Sequence, residues 1–139
     1  MEQVQETTQV PSAEEAALVA EFRVALRRFG NEAERVAREN GLTPRRYLLL
    51  LMIKGAPDLS ERSTVTELAE RLSLAQSSIT ELVARAETAG LVRREPSSDD
   101  ARVVYLRLTP EGERRFANAF RSLAAERHAL REAVADLED

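Results

Sequence analysis

The stretch that decides the fold runs from residue 65 to residue 94 and reads VTELAERLSLAQSSITELVARAETAGLVRR. Apolar residues recur at helical spacing in two short segments, and only the three residues 73–75 separate them. The second segment covers residues 76–88, and Gly90 is a typical residue for its end. Two helices joined by so short a turn predict a helix-turn-helix.

The two predicted helices each have an apolar side and a polar side. The first helix begins at Thr66, or at Thr64 through a capping box with Glu67. Its inward residues are Leu68, Ala69 and Leu72, and those of the second helix are Ile79, Leu82, Val83 and Ala86. The outward stripe of the second helix consists of Gln76, Ser77, Thr80, Glu81 and Ala84. This stripe is short and polar, without a long aliphatic side chain.

A β-hairpin is predicted directly after Gly90, where the spacing of apolar residues changes. Residues 91–94 form a short strand, and residues 96–100, Pro-Ser-Ser-Asp-Asp, are typical of a turn. Residues 103–108 alternate in steps of two, which places every second side chain on one face of a strand. The loop of this hairpin carries Asp100 and Arg102. A helix-turn-helix followed by a two-stranded wing predicts a winged helix.

Longer helices flank this unit on both sides. A Ser12-x-x-Glu15 capping box begins an amphipathic helix that reaches about residues 40–41, and Thr43-Pro44 begins a second helix that ends near Gly55. Thr109-Pro110 begins a last long helix, whose apolar positions are Phe116, Phe120, Leu123, Leu130, Val134 and Leu137. The predicted fold is therefore mainly α with a small β-hairpin wing. The first and last helices are longer than the winged unit needs, so a partner chain is expected to cover their apolar stripes.

The charge of the chain is mildly acidic but unevenly distributed. Its 139 residues, enough for one domain, include 20 Lys and Arg and 24 Asp and Glu, for a formal net charge of −4. The acidic excess lies in residues 1–45 and 108–139, whereas residues 46–107 are balanced. Of the 20 basic residues, 19 are arginine, which suits phosphate contacts or reflects a coding bias. The acidic total therefore does not exclude a nucleic-acid partner.

Several classes of protein are excluded or unsupported by composition. There is no cysteine and only one histidine, His128, so thiol chemistry and the common zinc sites are excluded. No apolar run is long enough to cross a membrane, and the acidic start MEQVQETTQVPS is unlike a signal peptide. Neither a glycine-rich phosphate loop nor a nucleophile–base pair is apparent. We therefore expect a cytoplasmic protein that is not an enzyme, with no catalytic residue, metal or other cofactor and no membrane partner.

The sequence resembles the MarR family of winged-helix transcriptional regulators. The resemblance rests on the stretch 65–94, on Asp100-Ala-Arg102 in the wing and on Leu108-Thr-Pro-Glu-Gly112 at the last helix. It implies a homodimer with interlocking terminal helices that binds double-stranded DNA at an inverted-repeat operator. The implied organisation is a flexible tail at 1–11 and a single domain at 12–139, with dimerisation helices at 12–40 and 110–139 and a DNA-binding lobe at 43–108.

The resemblance also implies which residues contact DNA. By position these are Gln76, Ser77, Ser78, Thr80, Glu81, Arg85, Arg94, Asp100 and Arg102. Short hydroxyl side chains on the second helix of the motif suit the major groove, and Arg102, positioned by Asp100, would enter the minor groove. For Arg85, Arg93 and Arg94 the alternative is an ordinary surface charge.

Three positions depart from the family pattern. Ala75 replaces the usual Ser or Asp helix cap, at a cost of about 1 kcal/mol unless Ser77 or Ser78 takes over. Ala86 replaces a large aliphatic residue. Glu81 stands where arginine is frequent, and it either accepts a hydrogen bond from cytosine N4 or closes a capping box with Ser78.

The family analogy further implies a ligand pocket between the dimerisation helices and the DNA-binding lobe. Phe29, Arg46 and Tyr47 are the candidates for it, and the two aromatic residues are alternatively core or dimer packing. The predicted function is a dimeric, sequence-specific transcriptional regulator, a repressor that a small-molecule effector releases from DNA. The alternative is a winged-helix protein-interaction module without DNA binding.

Overall fold

The computed structural model describes residues 9–138, so most of the predicted tail at 1–11 lies outside the described residues. Within the described range the elements follow the predicted order, with one additional helix at the end. They are α1 (Ala13–Glu39), α2 (Pro44–Lys54), α3 (Val65–Leu72), α4 (Gln76–Thr88), β1 (Val92–Pro96), β2 (Val104–Leu108), α5 (Pro110–Ser122) and α6 (Ala124–Asp136). The predicted class, mainly α with a β-hairpin wing, is confirmed.

The described residues form two compact units. One unit comprises Ala33–Ser122 and contains the helix-turn-helix and the wing. The other comprises residues 9–32 and 123–138, which are the first part of α1 and all of α6.

Capping side chains begin the first three helices as the sequence predicts. The Ser12 hydroxyl accepts from the Glu15 amide at 3.0 Å, and the Glu15 carboxylate accepts from the Ser12 amide at 2.9 Å. Thr43 accepts from the amide of Arg46 at 3.1 Å, with Pro44 in the first helical position. At α3 the cap is Thr64, whose hydroxyl and amide form a complete capping box with the third helical residue. The alternative start at Thr66 is therefore wrong.

Helix α4 begins without a side-chain cap. Its N-cap residue is Ala75, which has the extended conformation that a cap requires, with φ −64° and ψ 148°. No side chain forms a capping hydrogen bond at Ala75. Ser77 and Ser78 do not replace the missing cap, because both lie inside the first turn of the helix. The departure at Ala75 therefore leaves an amide of the first turn without a side-chain acceptor.

Replacing Ala75 by serine is expected to stabilise the folded protein by about 1 kcal/mol, because the new hydroxyl would accept from an amide of the first turn. Urea unfolding of the variant and the parent protein measures the difference. The matched control is Ala84→Ser, in the exposed interior of the same helix. There the same substitution should cost a few tenths of a kcal/mol, because serine has a lower helix propensity than alanine. Equal effects at the two positions would contradict the capping argument.

The wing is an antiparallel pair of strands, and one residue from outside the pair forms an additional β-bridge to it. Val92 pairs with Leu108 and Pro96 with Val104. Ser63, just before α3, adds a single bridge to Leu106, with backbone hydrogen bonds of 3.2 and 2.8 Å, and it is almost fully buried. The sequence does not predict this bridge, since a single residue is too short to show strand alternation.

The core of the Ala33–Ser122 unit is formed by the inward faces of its helices and by the wing. Its fully buried large side chains include Leu49, Leu50, Ile53, Leu68, Ile79, Val83, Leu91 and Leu106. Tyr47 stacks on Phe116 with ring centroids 5.7 Å apart. All the predicted inward positions of α4 are buried except Leu82, which is half-buried.

The predicted single last helix is wrong, because it is interrupted at Leu123. This residue has φ −100° and ψ 12° and separates α5 from α6. The preceding Ser122 donates its hydroxyl to the carbonyl of Asn118 at 3.0 Å. Such a bond from a serine to the preceding turn competes with the helical backbone and bends helices.

The unit of residues 9–32 and 123–138 has little core of its own. No described residue of α6 is buried. Five aliphatic residues of this unit are between 38% and 54% exposed: Leu18, Val19, Val24, Leu26 and Val134. A cleft of about 730 Å³ is lined by Leu18, Val24 and Phe29 from α1 and by Ala125, Ala129 and Ala133 from α6.

Among the described residues, no helix is long and apolar enough to span a membrane.

Candidate nucleic-acid interface

Helix α4 presents a polar, solvent-exposed face. The burial of Ile79, Val83 and Ala86 fixes the rotation of the helix. The six residues that the sequence analysis selected on α4 are consequently all exposed: Gln76, Ser77, Ser78, Thr80, Glu81 and Arg85. Gln76 also donates its amide to the Thr66 hydroxyl of α3 at 3.1 Å, so it links the two helices of the motif.

Glu81 forms an ion pair with Arg85 one turn later on α4. The distance from Arg85 Nη2 to Glu81 Oε2 is 3.0 Å. The predicted alternative of a capping box with Ser78 is wrong, since α4 is capped at Ala75 and Ser78 is its third residue. The Glu81 carboxylate is therefore held at the surface by an arginine and remains exposed.

The tip of the wing holds Arg102 in a defined position. The Asp100 carboxylate accepts from the Arg102 amide at 3.0 Å and from its guanidinium Nε at 3.2 Å. These two hydrogen bonds hold the pKa of Asp100 below its ordinary value, and the bond from the backbone amide has the larger effect. The Arg102 side chain is 90% exposed, so its guanidinium projects into solvent from a carboxylate anchor.

Two other arginines of the wing also form ion pairs with carboxylates. Arg94 pairs with Glu87 of α4 at 3.1 Å. Glu95 accepts from Arg107 at 2.6 Å, and this bond lowers the pKa of Glu95. Most of the positive charge near the candidate interface is therefore already paired within the protein.

A stacked cluster at the base of the wing was missed by the sequence analysis. The guanidinium of Arg62 lies 3.9 Å from the centre of the Tyr105 ring, and its Nη1 is 3.5 Å from Glu95. Arg62 precedes the Ser63 bridge, so the cluster supports the β2 strand beside that bridge. No sequence signal joins residues 62, 95 and 105, because only the sheet brings them together.

The three candidate ligand residues lie in different surroundings. Phe29 lines the cleft between α1 and α6 in the unit of residues 9–32 and 123–138. Arg46 lines a shallow depression of about 350 Å³ beside Glu81, Ala84, Arg85 and Thr88 of α4. Tyr47 is only 7% exposed and packs against Phe116.

A helix-turn-helix with an exposed polar second helix, followed directly by a two-stranded wing, defines the winged helix-turn-helix class. The sequence model of the MarR family matches residues 40–103, which include the whole helix-turn-helix and the first strand and loop of the wing. A curated relative, the HTH-type transcriptional repressor MdtR of Bacillus subtilis (strain 168), is 33% identical over 78 residues. The matched segment and this relative support a MarR-family assignment for the winged part of the chain.

Solved structures agree with this assignment. YusO of Bacillus subtilis is 25% identical, with a TM-score of 0.61 over 83% of this chain and 80% of that one. Sco3205 of Streptomyces coelicolor, a MarR family transcriptional regulator solved in complex with DNA, is 27% identical, with a TM-score of 0.60 over 95% and 80% of the two chains. Sco3205 is a transcriptional regulator, which is the class of protein that the sequence predicts for this chain.

The match to MdtR covers only part of both proteins. It includes 56% of this chain and 48% of MdtR, so the chain spans about half the length of this curated relative.

Proposed function

We propose that the chain is a dimeric, sequence-specific DNA-binding transcriptional regulator. The observation that carries the proposal is the combination of an exposed hydroxyl-rich face on α4 with a wing that holds Arg102 exposed on Asp100. Hydroxyl and amide side chains on such a helix suit base edges and phosphates in the major groove. An arginine at a loop tip suits the narrow, electronegative minor groove.

The homodimer is supported by the unit of residues 9–32 and 123–138. Five of its aliphatic side chains are 38% to 54% exposed, and α6 has no buried residue among those described. A second copy that packs on these helices would remove this apolar surface from water. A two-fold pair places two recognition helices roughly 34–36 Å apart, so the expected operator is an inverted repeat with half-sites one DNA turn apart.

Repression and release by a small molecule are the finer parts of the proposal. The repressor role is supported by the name of MdtR, a relative at 33% identity. An effector that releases the protein must bind the conformation without DNA better than the DNA-bound one, because equal affinities shift no equilibrium. Such a regulator acts in the cytoplasm, where its operator is accessible.

The two DNA-binding elements are expected to respond differently to substitution. Arg102→Ala should weaken binding to many duplexes and reduce the slope of log affinity against log salt by about one unit per lost phosphate-type contact. Thr80→Ala should leave that slope nearly unchanged and relax the preference at one position of each half-site by about 1–3 kcal/mol. Duplex binding measured at several salt concentrations separates the two effects.

The control for this experiment is Arg38→Ala, an exposed arginine near the end of α1 that is far along the chain from both elements. It should change neither the slope nor the sequence preference. If the Arg102 and Thr80 variants bind every duplex as the parent protein does, α4 and the wing do not contact DNA. The alternative function, a winged-helix module for protein interaction, would then be favoured.

A further inference from the structure

The outward face of α4 contains one carboxylate, and its position is unusual for a surface that approaches DNA. This carboxylate belongs to Glu81, which forms an ion pair of 3.0 Å with Arg85 of the same helix. The side chains of both residues are 66% exposed. Arg46 of α2 lines the same shallow depression as this pair. An acceptor and a donor thus lie side by side on the face of α4 that the proposed function assigns to the major groove.

Helix stability does not explain this carboxylate. An exposed ion pair between residues four positions apart contributes little to folding. A negative charge on the same face also weakens the attraction to phosphates, which supplies most of the affinity that is independent of sequence. A residue that contributes little to the stability of the fold and weakens general DNA binding is consistent with a role in discrimination between DNA sequences.

The chemistry of the pair matches one kind of base pair. A carboxylate only accepts hydrogen bonds, and cytosine offers the N4 amino group as a donor in the major groove. The guanine paired with that cytosine offers the acceptors O6 and N7, which suit the guanidinium of arginine. In adenine the acceptor N7 lies beside the N6 donor and would repel a carboxylate. Glu81 next to Arg85 is therefore complementary to a cytosine–guanine pair.

We propose that Glu81, positioned by its ion pair with Arg85, is a specificity-determining residue that selects a cytosine–guanine pair at one position of each half-site. This inference rests on the proposed function and deepens it. Arg85 contributes the contact to guanine, and the carboxylate disfavours the other base pairs at that position.

Selection of bound duplexes from a random pool, carried out with the parent protein and with Glu81→Gln, tests the proposal. The parent protein should select cytosine at one position of each half-site. Glutamine offers both a donor and an acceptor and suits N6 and N7 of adenine, so the variant should prefer adenine there. The preference at that position should change by about 5- to 150-fold, and the other positions should stay unchanged.

The matched control is Glu70→Gln, which removes the same charge from an exposed position on the neighbouring helix α3. It should leave the selected sequence unchanged, so an effect of charge alone is separated from an effect of base contact. A Glu81→Gln protein that selects the same sequence as the parent with equal preference overturns this inference and leaves DNA binding intact. A parent protein that binds no duplex overturns the proposed function as well.

Discussion

Replacing Gly112 by alanine is expected to destabilise the protein by about 3 kcal/mol, at the upper end of the cost of overpacking a core. Gly112 lies in the first turn of α5, and an ideal Cβ at this position would be only 2.1 Å from the carbonyl oxygen of Leu91. That carbonyl also accepts from the Thr109 amide at 3.0 Å, and Leu91 is fully buried. The methyl group therefore cannot be accommodated without moving the backbone that joins α4 to the wing.

The matched control for Gly112 is Gly30, in the middle of α1. Apart from its chain neighbours and the adjoining backbone of its own helix, a Cβ at Gly30 meets no heavy atom within 4 Å. Gly30→Ala should therefore stabilise the protein by about 1 kcal/mol through helix propensity. Chemical unfolding of both variants at one fixed protein concentration measures the two effects. Opposite signs are expected for the same substitution in two helices. A gain in stability for both variants would show that α5 does not approach Leu91 this closely.

Replacing Leu26 by glutamate is expected to separate the proposed homodimer. Leu26 is 44% exposed in the chain alone. It belongs to the predicted apolar stripe of α1, whose positions recur at three- and four-residue steps: Leu18, Phe22, Ala25, Leu26, Phe29, Ala33 and Val36. Burial of a leucine contributes about 1.5–3 kcal/mol, and a two-fold interface contains the residue twice. The dissociation constant of the dimer should therefore rise by a factor of about 10² to 10⁴. Analytical ultracentrifugation over a range of protein concentrations measures the shift.

The control for Leu26 is Ala20→Glu, which adds the same charge to α1 away from the predicted apolar stripe. This variant should keep the parent's association. The Leu26 variant should also lose affinity for an inverted-repeat duplex, because a monomer presents only one recognition helix. A parent protein that sediments as a folded monomer at micromolar concentration would contradict the dimer and the two-fold operator together.

The sequence by itself determined the order of the elements up to the last helix and the rotation of the recognition helix α4. The bounds predicted for α4, Gln76 to Thr88, are those of the structure, because an apolar stripe at helical spacing and a closing Gly90 are local signals. The outward residues follow from that stripe without any tertiary information. The Asp100–Arg102 contact is equally local, since the two residues are two positions apart in one turn.

Only the tertiary structure decided the contacts between distant residues and the places where a local signal was ambiguous. The Ser63 bridge, the stacking of Arg62 on Tyr105 and the interruption at Leu123 leave no pattern in the sequence, since each depends on one residue or on partners far apart in the chain. For Glu81, the sequence left open a capping box and a base contact. The position of the α4 cap excluded the first, because a capping box requires the serine at the N-cap and Ala75 occupies that place.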